Sequence, residues 1–337
     1  MDSFGFTVPF TLCNVLAQLA LEDPIVPFTP RQPSFYRPFF QLAGVNVFSN
    51  LMVPLAGLVD TAFLGHLADI HNLAGVALAT VLFNYLYWTF GFLRMGTTGT
   101  TAQAVGRGDR QVILLIGLRH GLLALAIGLL IVLLQVPLRS IGFALFSAAP
   151  DVEASGKAFY NALIWGAPAT LINYVLIGWF LGQAQGRKVL LLSIVGNSSN
   201  VLLDYEFIVR LGWQSAGAGL ATAASQYLML LTGILLIARE VKMQQIASLS
   251  SQLFDMSALK ASFLLNGEIL IRTFALVSTF ALFTNLSAGL GTAILSVNAI
   301  LLQVVGLASY FIDGLAFATE SWAGRLHGQG ITTGLSR

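Results

Sequence analysis

The residues best placed to do chemistry in this chain are carboxylates set in apolar sequence. Asp60 lies in NVFSNLMVPLAGLVDTAFLGHL and Asp204 in VGNSSNVLLDYEFI. On a helix, Asn46, Asn50, Gly57 and Asp60 fall on one stripe, at spacings of four, seven and three, with Pro54 between them. Ser193, Asn197, Asn200 and Asp204 form a second stripe, at spacings of four, three and four. Two carboxylates facing one desolvated cavity repel, so one of them takes up a proton, the property a proton-coupled site needs. Proline removes a backbone hydrogen bond and permits a bend, which makes Pro54 a candidate hinge answering to the protonation of Asp60. The bland alternative for Asp60 is a carboxylate hydrated by headgroups. The residues that follow it, TAFLG, are still apolar and favour function.

The elements that position these stripes follow from composition. The 337 residues are 56% hydrophobic and 9% charged, with mean hydropathy +0.79. A soluble domain is about a quarter charged, so a soluble enzyme and a disordered chain are both excluded. Apolar runs long enough to cross a hydrocarbon core of about 30 Å occur eight times. They are Phe39–Leu64, Leu73–Leu93, Val112–Val136, Ala158–Leu181, Val189–Val209, Ala216–Ala238, Phe263–Leu286 and Ala293–Ala318. Period-two alternation is absent, which excludes a membrane β-barrel. The expected fold is all-α, a polytopic helical membrane protein whose partners are the lipid bilayer and a small-molecule substrate. A net charge of +2 gives no reason for a nucleic-acid partner, and the single Cys13 excludes an internal disulfide.

Lys and Arg set the orientation. Twelve fall on one side, Arg94 among them with the turn at Arg107 and Arg110, against Arg139, Lys157 and Arg210 on the other. The N-terminus is therefore expected in the cytoplasm, and the plasma (inner) membrane is the expected location. Residues 1–38 read as a cytoplasmic extension, with an interfacial helix as the alternative. Gly96, Gly106 and Arg107 recur as Gly314, Gly324 and Arg325 at a constant offset of 218. Such a parallel repeat builds two-lobed transporters, and a complete second unit would end at about residue 456. The expected organisation is one six-helix lobe (39–238), a cytoplasmic linker (239–262), the first two helices of an incomplete second lobe (263–325) and a polar tail (326–337). On this reading the chain is C-terminally truncated.

Other intramembrane charges are candidates for the same reason. Glu268 and Arg272, four apart, suit an ion pair on one helix face, with cation coupling as a second role. Asp313 and Glu320, seven apart, share a face at the lobe interface or where the span leaves the membrane. Arg119 is expected to reach back to the cytoplasmic side. No Walker A motif, nucleophile–base set or metal-ligand spacing of His66, His71, His120 and His327 occurs. No nucleotide, metal or organic cofactor is therefore expected, and an ion gradient would supply the energy.

NLMVPLAGLVDTAFLGHL (50–67), GFLRMGTTGTTAQAVG (91–106), GAPATLINYVLIGWFLGQAQ (166–185) and VGNSSNVLLDYEFI (195–208) together resemble the multidrug and toxic compound extrusion (MATE) family, in its DinF-like branch. NGEILIRTF (266–274) and YFIDGLAFATESWAG (310–324) extend the resemblance. It implies two six-helix lobes, alternating access, and export of small organic or drug-like compounds in exchange for H+ or Na+. It implies that Asp60 takes the coupling proton, and that Asn173, Asn200, Asp204 and Thr222 match polar positions of the N-lobe cavity. Asn46, Asn50 and Asn197 join that cavity wall from their stripes. A lipid-linked saccharide flippase of the same superfamily and a non-transporting remnant stay open as alternatives.

Overall fold

A computed structural model describes residues 36–65, 70–146, 149–253, 256–289 and 292–331. The expected N-terminal extension lies almost entirely outside them, with Cys13. The described residues form helices α1 (Tyr36–Gly65), α2 (Ile70–Thr89), α3 (Phe92–Arg107), α4 (Arg110–Leu133), α5 (Gln135–Ala144), α6 (Pro150–Leu163), α7 (Ala167–Gly182), α8 (Gly186–Asp204), α9 (Gln214–Glu240), α10 (Met243–Ser248), α11 (Ser250–Leu253), α12 (Met256–Gly289) and α13 (Thr292–Gly328), and no strand. The fold is all-α. Each of the eight apolar runs is mainly helical, and five stretches of the described residues are long and apolar enough to span a membrane. The 19-residue α8, with its polar stripe, is not among those five.

The GRGDR segment forms the turn between α3 and α4. Gly108 adopts φ +72°, and its N–H bonds back to the carbonyls of Ala104 and Val105, which closes α3. Asp109 then caps α4 by accepting from the Val112 N–H at 3.0 Å. The second span departs from expectation. It does not end at Leu93: after one turn at Phe90–Gly91 the helix resumes, and His71–Arg107 is one apolar stretch of 37 residues. Arg94 is thus a residue of the helix interior and not of the cytoplasmic turn. It stands thirteen residues before Arg107, about 20 Å along the axis. The run misleads because Thr97, Thr98, Thr100 and Thr101 lower its hydropathy. Three of these hydroxyls donate to backbone carbonyls one turn back (Leu93, Arg94 and Gly96), so the helix can carry them in an apolar setting.

Two apolar clusters fill the interior. One gathers Leu64, Phe83, Phe92, Phe143, Phe159, Tyr160 and Leu171; the other gathers Leu42, Trp179, Phe180, Val189, Leu192 and Met229. Near the second, Lys188 at the start of α8 pairs with Glu240 at the end of α9 and lies over the Phe180 ring. Arg119 reaches across to donate to the Gln252 carbonyl at 2.7 Å, which seats α11 against α4.

Two of the repeat glycines, Gly106 and Gly324, lie at the contact of α3 with α13. A Cβ on Gly106 would lie 2.2 Å from the Arg325 carbonyl oxygen, and one on Gly324 would lie 2.7 Å from Ala102 Cβ. The helices matched by the 218-residue offset, α3 and α13, therefore pack backbone to backbone through those glycines. Gly106→Ala is expected to destabilise the fold by about 1–3 kcal/mol. Gly44→Ala, with open space around its Cβ, is expected to be close to neutral. Thermal unfolding in detergent, followed by size-exclusion fluorescence, checks the difference.

Candidate functional site

On α1, α7, α8 and α9 the polar residues fall between the two apolar clusters along the chain. The side chains of Leu171 and Leu176 flank Asn173 on α7, and Leu192 and Ile208 bracket Asn200 and Asp204. This polar layer is closed by packing: Asp204 is 0% exposed, Asn173 1% and Asn200 6%. A buried amide needs a partner. Asn173 Nδ2 donates to the Gln226 backbone carbonyl at 2.9 Å and to Gln226 Oε1 at 3.0 Å. Asn200 Nδ2 donates to Thr222 Oγ1 at 3.4 Å, and that hydroxyl donates to the Ala218 carbonyl at 3.0 Å. Asn173, Asn200 and Thr222 thus come together around α9. Asn197 does not join them, because its Nδ2 donates to the Ser193 carbonyl of its own helix at 2.7 Å.

Asp204 closes α8 where the backbone widens into a π-turn over Tyr205–Arg210, a feature frequent at functional sites. Glu206, on that turn, pairs with Arg210 at 3.0 Å near the surface. The helices α1 and α8 pack in parallel. A Cβ on Gly186 would meet Leu42 at 3.0 Å, and the Phe63 ring lies 6.3 Å from that of Tyr205. That register sets the backbone of residue 60 level with residues 202–204. The Asp60 side chain itself lies outside the described residues.

Pro54 lies inside α1 and has no N–H for the Asn50 carbonyl, four residues back. The Asn50 side chain is engaged away from α8: Nδ2 donates to the Tyr310 carbonyl at 3.4 Å, and Oδ1 accepts from Arg94 Nη2 at 3.3 Å. Asn46 is fully buried, with no hydrogen-bond partner for either amide atom among the described residues. The Glu268 side chain lies outside the described residues. Arg272 is exposed, with Nη2 4.0 Å from Met95 Sδ.

Two residues of this layer escape sequence reasoning. Gln226 is an isolated amide on an apolar helix, and its four-residue spacing from Thr222 is the only signal it offers. Arg94 is hidden by the polar threonine run that follows it. A carboxylate in a dry layer among amides and hydroxyls can carry a proton or a cation, and the amides can hold a polar solute.

The MatE family model matches residues 46–206. Over 289 residues the chain is 36% identical to "DNA damage-inducible protein F" of Escherichia coli, covering 86% of this chain and 63% of that protein. It is 26% identical over 200 residues to "Probable multidrug resistance protein NorM" of Thermotoga maritima, covering 58% of this chain and 43% of that one. The solved structure described as the "outward-facing conformation of a multidrug resistance MATE family transporter of the MOP superfamily" superposes with a TM-score of 0.77 at 20% identity. It covers 95% of this chain and 68% of the other, and shows the same fold. The chain thus spans about three-fifths of the length of the Escherichia coli relative. Residues 46–206 thus match the MatE family, and over 289 residues the chain is similar to the DinF-like relative of Escherichia coli.

Proposed function

We propose that the protein acts as a cation-coupled antiporter that exports small organic compounds by alternating access. The observation that carries this reading is the buried Asp204, set in a layer of amides and level with residue 60 across the parallel α1–α8 contact. Protonation of Asp60 disfavours the bound solute and lets α1 bend at Pro54, while Asp204 tunes that protonation. Asn173, Asn200 and Thr222 form the polar wall, to which Asn46, Asn50 and Asn197 contribute from their helices. Residues 39–238 make one lobe, 239–262 the linker and 263–325 the start of the other. The crossing of α3 with α13 is then the contact between lobes. The multidrug resistance named for the Thermotoga maritima relative suits a polar wall of amides and a hydroxyl. The protein sits in the plasma membrane with its N-terminus cytoplasmic. With Arg94 withdrawn from the turn, eleven basic residues still lie on that side against three.

Two measurements test this. Cells producing the chain are loaded with a cationic dye, and the H+ and Na+ gradients are varied separately. Efflux that follows one gradient is expected, with Asp60→Asn losing about tenfold or more and Asp204→Asn losing less. Full efflux by Asp60→Asn, or none from the chain under either gradient, overturns the assignment. For orientation, Arg110→Cys in a Cys13→Ser background is expected to react with an impermeant maleimide only after the cells are opened. Arg139→Cys is expected to react in intact cells.

A further inference from the structure

Arg94 has no task in the proton relay just described, yet it has an elaborate seat. Its guanidinium carbon lies 3.9 Å from the centroid of the Phe317 ring. Asp313, Phe317 and Glu320 fall at i, i+4 and i+7 on α13 and share one face. The cation resting on Phe317 therefore stands about one turn from each carboxylate. Both act on it electrostatically, but neither comes within 4 Å of it, so no ion pair is closed. Glu320 already leans on α3: its Oε1 lies 3.1 Å from the place a Cβ on Gly99 would take. Arg94 is held in between by one hydrogen bond to Asn50 Oδ1, and its buried Nε has no partner among the described residues. A guanidinium carries five N–H donors, and among the described residues the Arg94 side chain makes this one hydrogen bond. The other ionisable groups around this cluster are Tyr174 on α7, Arg272 on α12 and Tyr310 on α13; α1 contributes the neutral Asn50.

We propose that Arg94 is a two-position switch, pivoting on Phe317 between Asp313 and Glu320. It closes on whichever carboxylate is ionised when the other is neutralised by a proton or a monovalent cation. Closing on Glu320 or on Asp313 draws α13 in opposite directions along α3, because the two carboxylates lie two turns apart, about 10 Å. The glycine contacts at Gly106 and Gly324 hold α13 close against α3, so the movement runs along α3 and not away from it. The switch gives the antiport reading a second ion-linked site between α3 and α13, and rests on that reading only for its purpose.

Nitroxide labels at Asp151→Cys on α6 and His327→Cys on α13, in a Cys13→Ser chain, report the sliding as a distance by pulsed electron resonance at pH 5 and pH 8. The wild-type distance is expected to move by about 2–5 Å between the two pH values. At pH 8, Asp313→Asn and Glu320→Gln are expected to displace it in opposite directions. Arg94→Gln removes both displacements, and Arg94→Lys retains them. If Arg94→Gln does not yield a monodisperse protein, Phe317→Leu replaces it and is expected to abolish the opposition. Distances that coincide in Asp313→Asn, Glu320→Gln and wild type overturn the switch, as does a pH response that survives Arg94→Gln. Distances that respond in a chain without efflux leave the switch standing and remove the antiport reading. Efflux with unresponsive distances does the reverse.

Discussion

In an apolar slab, every polar atom must find its partner within the protein, and most of this structure follows from that demand. The chain meets it in two ways. Where a hydroxyl is local, it bonds one turn back along its own helix, as Thr97, Thr98 and Thr100 do on α3. Amides do either: Asn197 bonds one turn back, whereas Asn173 recruits Gln226 and Asn200 recruits Thr222 from a neighbouring helix. The Thr97 hydroxyl, spent on the Leu93 carbonyl, still accepts from His120 Nδ1 at 2.8 Å. That hydrogen bond gives the buried His120 ring its partner. Because such partners must converge, Asn173, Asn200 and Thr222 of α7, α8 and α9 come together around α9.

Close backbone approach is the second half of the same account. Hydrocarbon gives no hydrophobic reward for pairing helices, so contact must come from packing. A Cβ on Gly178 would lie 2.5 Å from the Arg94 carbonyl, and Gly106 meets α13 in the same way. Trp179 Nε1 donates to the Ile113 carbonyl at 2.8 Å beside that crossing. The glycines thereby bring α3 close enough to α7 and α13 for Arg94 to reach both Asn50 and Phe317. Small residues and one large cation are parts of a single device.

Much of this is legible in the sequence. The apolar runs, the GRGDR turn with its left-handed glycine and aspartate cap, and the stripe ending at Asp204 all carry local signals that the fold keeps. The misreadings have physical causes. Arg94 passes for a turn residue because threonines depress hydropathy without exposing polar atoms. Asn50 shares a helical stripe with Asp60, but a stripe fixes only the angle around one helix and not the neighbour it meets. Its neighbour is set by Gly314, whose missing Cβ lets α13 approach Val47, a contact 267 residues distant in sequence. Asn197 lies on the right face of α8 and still spends its amide on its own backbone.

The same contacts determine what a bend in α1 must do. Before Pro54 the helix is tied to α13 through Val47 and Asn50, and to α3 through Arg94. Beyond Pro54 it is tied to the π-turn after α8 through Phe63 and Tyr205. A bend at the proline therefore moves one anchored half against another, and cannot be absorbed within α1. Its cost falls on whichever anchor is weaker. The Asn50 anchors are two hydrogen bonds of 3.3 and 3.4 Å, longer than the usual 2.9–3.0 Å. The glycine contact at Val47 is direct packing. A bend of α1 would therefore strain the Asn50 hydrogen bonds to Arg94 and Tyr310 before it disturbed the packing at Val47.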